Sequence, residues 1–186
     1  MSSEKRKYEL KKRADAMEET RRRITQAAVE LHGSVGPART TVSAVAERAG
    51  VQRHTVYRHF PTEQDLFAAC SAHWGATNPW PDPASWTGLE DGLDELYAWY
   101  ERSEDMLANI LRDAELVDAV PEAMEPMLDF FAEARRALAA GRPRRKTMSA
   151  AIAHAADFRT WRSLVREGGL SRGQAVRLVS ALVDSA

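Results

Sequence analysis

The sequence predicts an all-α protein of about nine helices: an N-terminal helix-turn-helix three-helix domain followed by a C-terminal helical bundle. Three observations predict it. Apolar residues recur at three- and four-residue intervals from Ala14 onward, and nothing in the second half alternates as a strand does. Residues 40–60, TTVSAVAERAGVQRHTVYRHF, read as two short helices about a turn at Gly50. Residues 78–85, NPWPDPAS, hold three prolines in eight positions and interrupt any helix. We assign residues 1–67 to the first domain and 68–186 to the second, with the proline-rich run marking where the bundle proper begins.

The elements follow in order. Six of residues 1–13 are Lys or Arg, and this arm is either disordered or a backward extension of the first helix. Met17, Ile24, Ala27, Ala28 and Leu31 then form one apolar stripe, which stops at Gly33 and Gly36-Pro37. Thr41 is placed to cap the next helix. Val45, Ala49, Val51 and Val56 form a small apolar plug, and Ala46 keeps the first helix thin where the second crosses it. Gly50 stands where the chain must adopt positive φ. After Pro61, Thr62 with Asp65 three residues on predicts a capped helix with Leu66, Phe67, Cys70 and Trp74 inward. The bundle helices are expected at about 86–101, 105–117, 121–140, 143–166 and 171–183, separated by Gly141 and Gly168-Gly169 and with Ser171 as the last cap.

At 186 residues and 44% apolar composition, the chain can bury a real core as one medium domain or two small ones. Its formal charge of −1 is unevenly spread: residues 1–67 hold 13 Lys+Arg against 9 Asp+Glu, and residues 68–186 hold 13 against 18. A basic end on an acidic body suits contact with phosphates. One cysteine, Cys70, excludes an intrachain disulfide and a Cys-based zinc site, and it reads as a buried thiol. No metal or cofactor pattern is present, no apolar run approaches a membrane span, and no apolar segment follows the basic start as in a signal peptide. The expectation is a cytoplasmic protein. There is no Gly-rich phosphate loop, HExxH or GxSxG, so no enzyme class is indicated.

Arg23-Ile24, Ala27-Ala28, Gly36, Thr40-Thr41, Val45-Ala46, Ala49-Gly50-Val51, Thr55-Val56-Tyr57, His59-Phe60 and Asp65-Leu66 stand in fixed register, and over about residues 20–67 the chain resembles the tetracycline-repressor (TetR) family of bacterial regulators. The remainder carries no such signature. The resemblance implies a sequence-specific DNA-binding transcriptional regulator, a repressor that binds a palindromic operator as a homodimer and is released by a small apolar inducer. The alternative is a ligand-free DNA-binding or interaction protein on the same fold. It implies that Gln52, Arg53 and His54 face base edges. Arg53 is the main specificity candidate, because its fork fits guanine O6 and N7. Thr55, Tyr57, Arg58 and His59 would lie nearer the sugar-phosphate strands, and Thr41 and Ser43 would offer donors to a phosphate. Two positions depart from the family's habit. Gln52 stands where a small cap such as Ser is common, and Glu63 where Lys often meets a phosphate.

A ligand cavity between the central helices of the second domain would draw on Trp86, Tyr97, Tyr100, Met106, Ile110, Met124, Met127, Phe130, Phe131 and His154, although such stripes more often make ordinary core. His154, three residues before Asp157, would be its polar anchor or one half of a buried His–Asp pair. The last two helices resemble the pair that forms a four-helix dimer interface, with Phe158, Trp161, Leu164, Val165, Val176, Val179 and Leu182 as its candidates and Trp161 as the anchor.

Overall fold

A computed structural model describes residues 2–186. Met1, the first residue of the expected basic arm, lies outside them. The described residues contain helices and no strand. They divide into two compact units. One comprises the described residues through Thr77 together with Ala108–Ala123, and the other Asn78–Leu107 with Met124–Ala186.

The first unit begins with α1, Ser2–Ser34. The basic arm is therefore a continuation of the first helix, as its Glu, Lys, Arg and Leu residues favour. Beyond a single 3₁₀ turn at Pro37–Arg39 come α2 (Val42–Ala49), α3 (Arg53–His59) and α4 (Glu63–Thr77). The last turns of α5 (Leu89–Asp113) and the short α6 (Ala119–Ala123) complete the unit. The stripe read from the sequence is the core: Ile24, Ala27, Ala28 and Leu31 of α1 pack with Val45, Ala46, Ala49, Val56, Phe60, Leu66 and Cys70. Burial pushes the Cys70 thiol up to about 12, so it is neutral and weakly reactive.

The second unit holds the Asn78–Ser85 strap with its 3₁₀ turn Pro83–Ser85, the first part of α5, and α7 (Glu125–Leu138), α8 (Lys146–Ala155), α9 (Phe158–Arg162) and α10 (Arg172–Asp184). A π turn, Ser163–Glu167, extends α9. Three helix boundaries differ from expectation. α5 is one helix of 25 residues, with no break near 102–104. Arg102-Ser103-Glu104 contains no breaker, and buried Ser103 keeps the inward face continuous. Residues 121–140 divide at Met124, because Pro126 in the first turn of α7 has no N–H to continue the ladder from α6. Residues 143–166 divide at Asp157, whose Oδ1 accepts from the Arg159 N–H at 2.6 Å and restarts the chain as α9.

Aromatic rings fill this unit's core. Trp99 and Tyr100 of α5 meet Phe130 and Phe131 of α7 and, through Tyr100, Phe158 and Trp161 of α9, with centroids 5.3–6.3 Å apart. Arg172 at the start of α10 bonds Asp94 at 2.8 Å and Glu101 at 2.9 Å, and so ties that helix to α5.

Candidate nucleic-acid interface

The exposed face of α2 and α3 is built from the turn outward. Thr41 Oγ1 accepts from the Ala44 N–H at 3.2 Å and caps α2. Gly50 closes the helix in the left-handed conformation (φ 64°), with the Gly50 N–H on Glu47 O and the Val51 N–H on Ala46 O at 2.9 Å. Gln52 stands at the N-cap of α3 with no side-chain capping bond, as a residue with a long, flexible amide should. Val56 and Phe60 are sealed into the core. That register leaves Gln52, Arg53, His54, Tyr57 and Arg58 exposed and Thr55 and His59 half-buried. Tyr57 keeps 49% of its surface, and neither Arg53 nor Arg58 takes part in a described ion pair. Thr41 and Ser43 are exposed at the start of α2.

His59 is the least available of the expected DNA-facing residues. Its Nε2 is buried without a hydrogen-bond partner. Burial, then Arg58 and Arg21, hold its pKa below the ordinary histidine value, against a smaller opposing pull from Glu18.

Two arginines of α1 hold the motif from behind. Arg21 Nη1 donates to His59 O at 2.7 Å, and its guanidinium lies 4.2 Å from the Phe60 ring centroid. Arg23 Nη1 donates to Ala49 O at 3.2 Å. These carbonyls end α3 and α2, where the helix leaves acceptors unmatched. Sequence reasoning missed both roles. The signal was the run Arg21-Arg22-Arg23, two of whose members sit one turn ahead of the buried stripe.

It also missed a clamp on the α1–α2 connection. Asn109 Nδ2 donates to Gly33 O (2.7 Å) and His32 O (3.1 Å), and Arg112 Nη2 donates to Val35 O (3.0 Å). Asp113 accepts from the Ala38 N–H at 3.0 Å and from Arg112 Nε at 2.7 Å. Asp113 is only 1% exposed, and the Arg112 bond holds its carboxyl below the usual range. Gly36 lies under this clamp at φ 94°. His32 is 3% exposed, stacks on Phe67 at 4.7 Å, and is pushed down to about 4 by burial, with Asp113 pulling the other way.

Elsewhere in this unit, Lys5, Arg6, Lys7, Lys11, Lys12 and Arg13 are all exposed on the first turns of α1. Glu63, exposed, opens α4 with Asp65, where acidic groups complement the helix dipole. The Thr62–Asp65 cap is reciprocal, with the Thr62 N–H on Asp65 Oδ2 and the Asp65 N–H on Thr62 Oγ1, both at 3.1 Å.

The expected ligand and dimer residues are placed unevenly. Ile110 falls in the first unit and the other lining candidates in the second. Tyr97 and Tyr100 are fully buried, and their hydroxyls donate to Ala155 O (2.8 Å) and Ala156 O (2.6 Å). Met127 and Phe130 are buried, Trp86, Met124 and Phe131 partly so, and Met106 sits with them on the second unit's share of α5. His154 is exposed with Nδ1 3.2 Å from Thr160 Oγ1, while Asp157 caps α9, so the expected buried His–Asp pair does not form. Phe158, Trp161, Val176 and Val179 lie inside the single chain. Trp161, with no exposed surface and ringed by Tyr100 and Phe158, cannot be an anchor for a second copy without leaving its own core. Leu164 and Val165 are half-buried, and Leu182 and its neighbour Leu178 are exposed by 47% and 51%. Among the described residues no His, Cys, Asp and Glu group could hold a metal ion, and no helix is long and apolar enough to cross a membrane.

Residues 24–70 match the sequence profile of the bacterial regulatory proteins of the tetR family. Among solved structures, the chain is similar to the multidrug binding protein EbrR complexed with imidazole (TM-score 0.54, 23% identity, covering 87% of this chain and 88% of that one). It is also similar to a TetR transcriptional regulator from Rhodococcus sp. RHA1 (TM-score 0.49, 22% identity, 90% and 94%). No curated protein matches it in sequence. The matched profile runs from the buried stripe of α1 through the motif to Cys70 of α4, so the tetR-family likeness rests on the helix-turn-helix segment, about a quarter of the chain.

Proposed function

We propose that the protein is a cytoplasmic, sequence-specific DNA-binding repressor that recognises a palindromic operator as a homodimer. The observation that carries this reading is the outer face of α3. Gln52, Arg53, His54, Tyr57 and Arg58 are exposed together on a helix whose other side is sealed by Val56 and Phe60. A rigid helix that presents Arg beside amide and aromatic groups is what major-groove readout needs. Arg53 contacts a guanine, while Thr41, Ser43, Thr55, Tyr57 and Arg58 set the register on the phosphates. Half-buried His59 contributes at most an edge. Twofold pairing through Leu164, Val165, Leu178 and Leu182 doubles the site and makes the operator a palindrome.

The test is selection of bound sequences from a random DNA pool, with an Arg53→Ala, Tyr57→Ala variant alongside. A palindromic consensus that the variant loses is expected. No enrichment, or equal enrichment by the variant, overturns the reading.

A small apolar ligand between the central helices would release the protein from its operator. A neighbour in fold is a multidrug binding protein, which favours it. Against it, Tyr97, Tyr100, Phe130 and Trp161 are packed together with both tyrosine hydroxyls bonded to backbone, so a ligand there must displace core side chains. That packing favours a regulator whose bundle core stays ligand-free.

A further inference from the structure

The connection between α7 and α8 carries a concentration of charge that neither the α3 face nor the proposed pairing surface includes. Residues 135–146 hold six Lys or Arg, and no Asp or Glu stands between Glu133 and Asp157. The rest of the second unit is acidic, with 14 Asp+Glu against 6 Lys+Arg. Arg135 and Arg136 lie in the last turn of α7, where cations suit the helix dipole, and Arg142 Nη1 is engaged by Asp184 Oδ1 at 2.7 Å. Arg144, Arg145 and Lys146 have no such account. All three are exposed, and none has a described ion pair or side-chain hydrogen bond.

Their placement works against the fold. Arg145 is the N-cap of α8 and Lys146 its first residue, with no side-chain cap and no acidic residue in the first turn. A helix start favours Asp, Glu, Ser or Thr, and cations there oppose the dipole as well as one another. A local rule broken without compensation inside the chain points to an anion outside it. The connection is also held in place. The Arg142 N–H bonds Ala139 O at 3.1 Å, the Arg145 N–H bonds Pro143 O at 2.9 Å, and Thr147 Oγ1 donates to Ala186 O at 3.0 Å. The three cations therefore stand on an ordered surface.

The chemistry of the patch selects its partner. Arginine forks match phosphate oxygens and bind them in pairs. A lipid surface would need apolar side chains to insert, and among the described residues 134–156 no large apolar side chain is exposed. The acidic remainder of the unit repels a polyanion and confines contact to this edge. We infer that Arg144, Arg145 and Lys146 bind the phosphate backbone of duplex DNA without regard to its sequence. The contact is made by the second unit and does not rest on what α3 reads.

Lys146 is the one lysine outside residues 5–12, so amine acetylation reads this surface by itself. The probe is a random-sequence duplex of about 30 base pairs, added to the full-length protein in about 50 mM salt, with acetylation followed by peptide mass spectrometry. Acetylation of Lys146 should slow by at least about threefold, and the protection should vanish at about 500 mM salt. It should persist in the Arg53→Ala, Tyr57→Ala variant, so failure of the α3 reading leaves this result standing. Adding Arg144→Gln and Arg145→Gln to that variant should remove the protection and lower the salt slope of duplex binding by about 0.9 for each phosphate released. A charge-matched control, Arg159→Gln with Arg177→Gln at exposed positions of α9 and α10, should leave both unchanged. Five results each overturn the inference: an unprotected Lys146, protection that disappears with Arg53 and Tyr57, equal protection by polyglutamate at matched charge, protection by phosphatidylglycerol vesicles in place of the duplex, or an equal effect of the control pair.

Discussion

Lowering the pH from 7 to 4.5 should destabilise the first unit through His32. In the folded chain burial holds this imidazole at about 4, against the ordinary 6.5, while Asp113 pulls weakly the other way. Between those values the unfolded chain binds a proton that the folded chain refuses. Stability therefore rises with pH across this window, is complete above about 6.5, and is lost as pH falls toward 4. The full displacement corresponds to about 3 kcal/mol, of which about 2 kcal/mol is lost by pH 4.5. Half-buried His59, lowered chiefly by burial, works in the same direction. Asp113, held low by Arg112, contributes only below the ordinary carboxylate range. The assay is urea unfolding at pH 7 and 4.5 for the wild-type chain and His32→Phe, which keeps a ring against Phe67 and removes the titration. The pH-dependent loss in the variant should be smaller by about 2 kcal/mol. Equal losses in the two proteins would refute the assignment of the effect to His32.

Gly36→Ala should cost about 3 kcal/mol in thermal unfolding, because a Cβ at φ 94° meets Arg112 Nη2 and Asp113 Oδ2 and breaks the clamp on the α1–α2 connection. A loss under about 1 kcal/mol would mean that the clamp yields without cost. Arg21→Ala should lower stability by about 1–2 kcal/mol, since it removes the bond to His59 O and the packing of the guanidinium on Phe60. It should also weaken operator binding more than Arg22→Ala, whose parent side chain pairs with Glu19. Deleting residues 2–13 should reduce the steepness of the salt dependence of DNA binding by about 0.9 for each phosphate that the arm neutralises. An unchanged slope would show that the basic turns of α1 touch no DNA.

The sequence by itself determined the motif domain. Ile24, Ala28, Val45, Ala49 and Val56 are a local apolar pattern, and Thr41 and Gly50 are local conformational signals, so propensity and periodicity report them without knowledge of distant partners. The exposed face of α3 follows, because in a helix this short the outward residues are those left once Val56 and Phe60 turn inward. The bundle was legible as helical but not in its breaks. Pro126 and Asp157 carry their signals in sequence, yet whether each ends a helix depends on what the next turn packs against. Tertiary structure alone decided three other matters. Arg21 and Arg23 cap helices, and their acceptors lie 38 and 26 residues away. Asn109, Arg112 and Asp113 serve the α1–α2 connection, more than seventy positions earlier in the chain. Trp161 is held inside its own chain because rings from α5 and α9 converge on it. In each case the energy comes from satisfying a buried polar group or filling a core across long sequence separation, and no local pattern records which distant partner will do so.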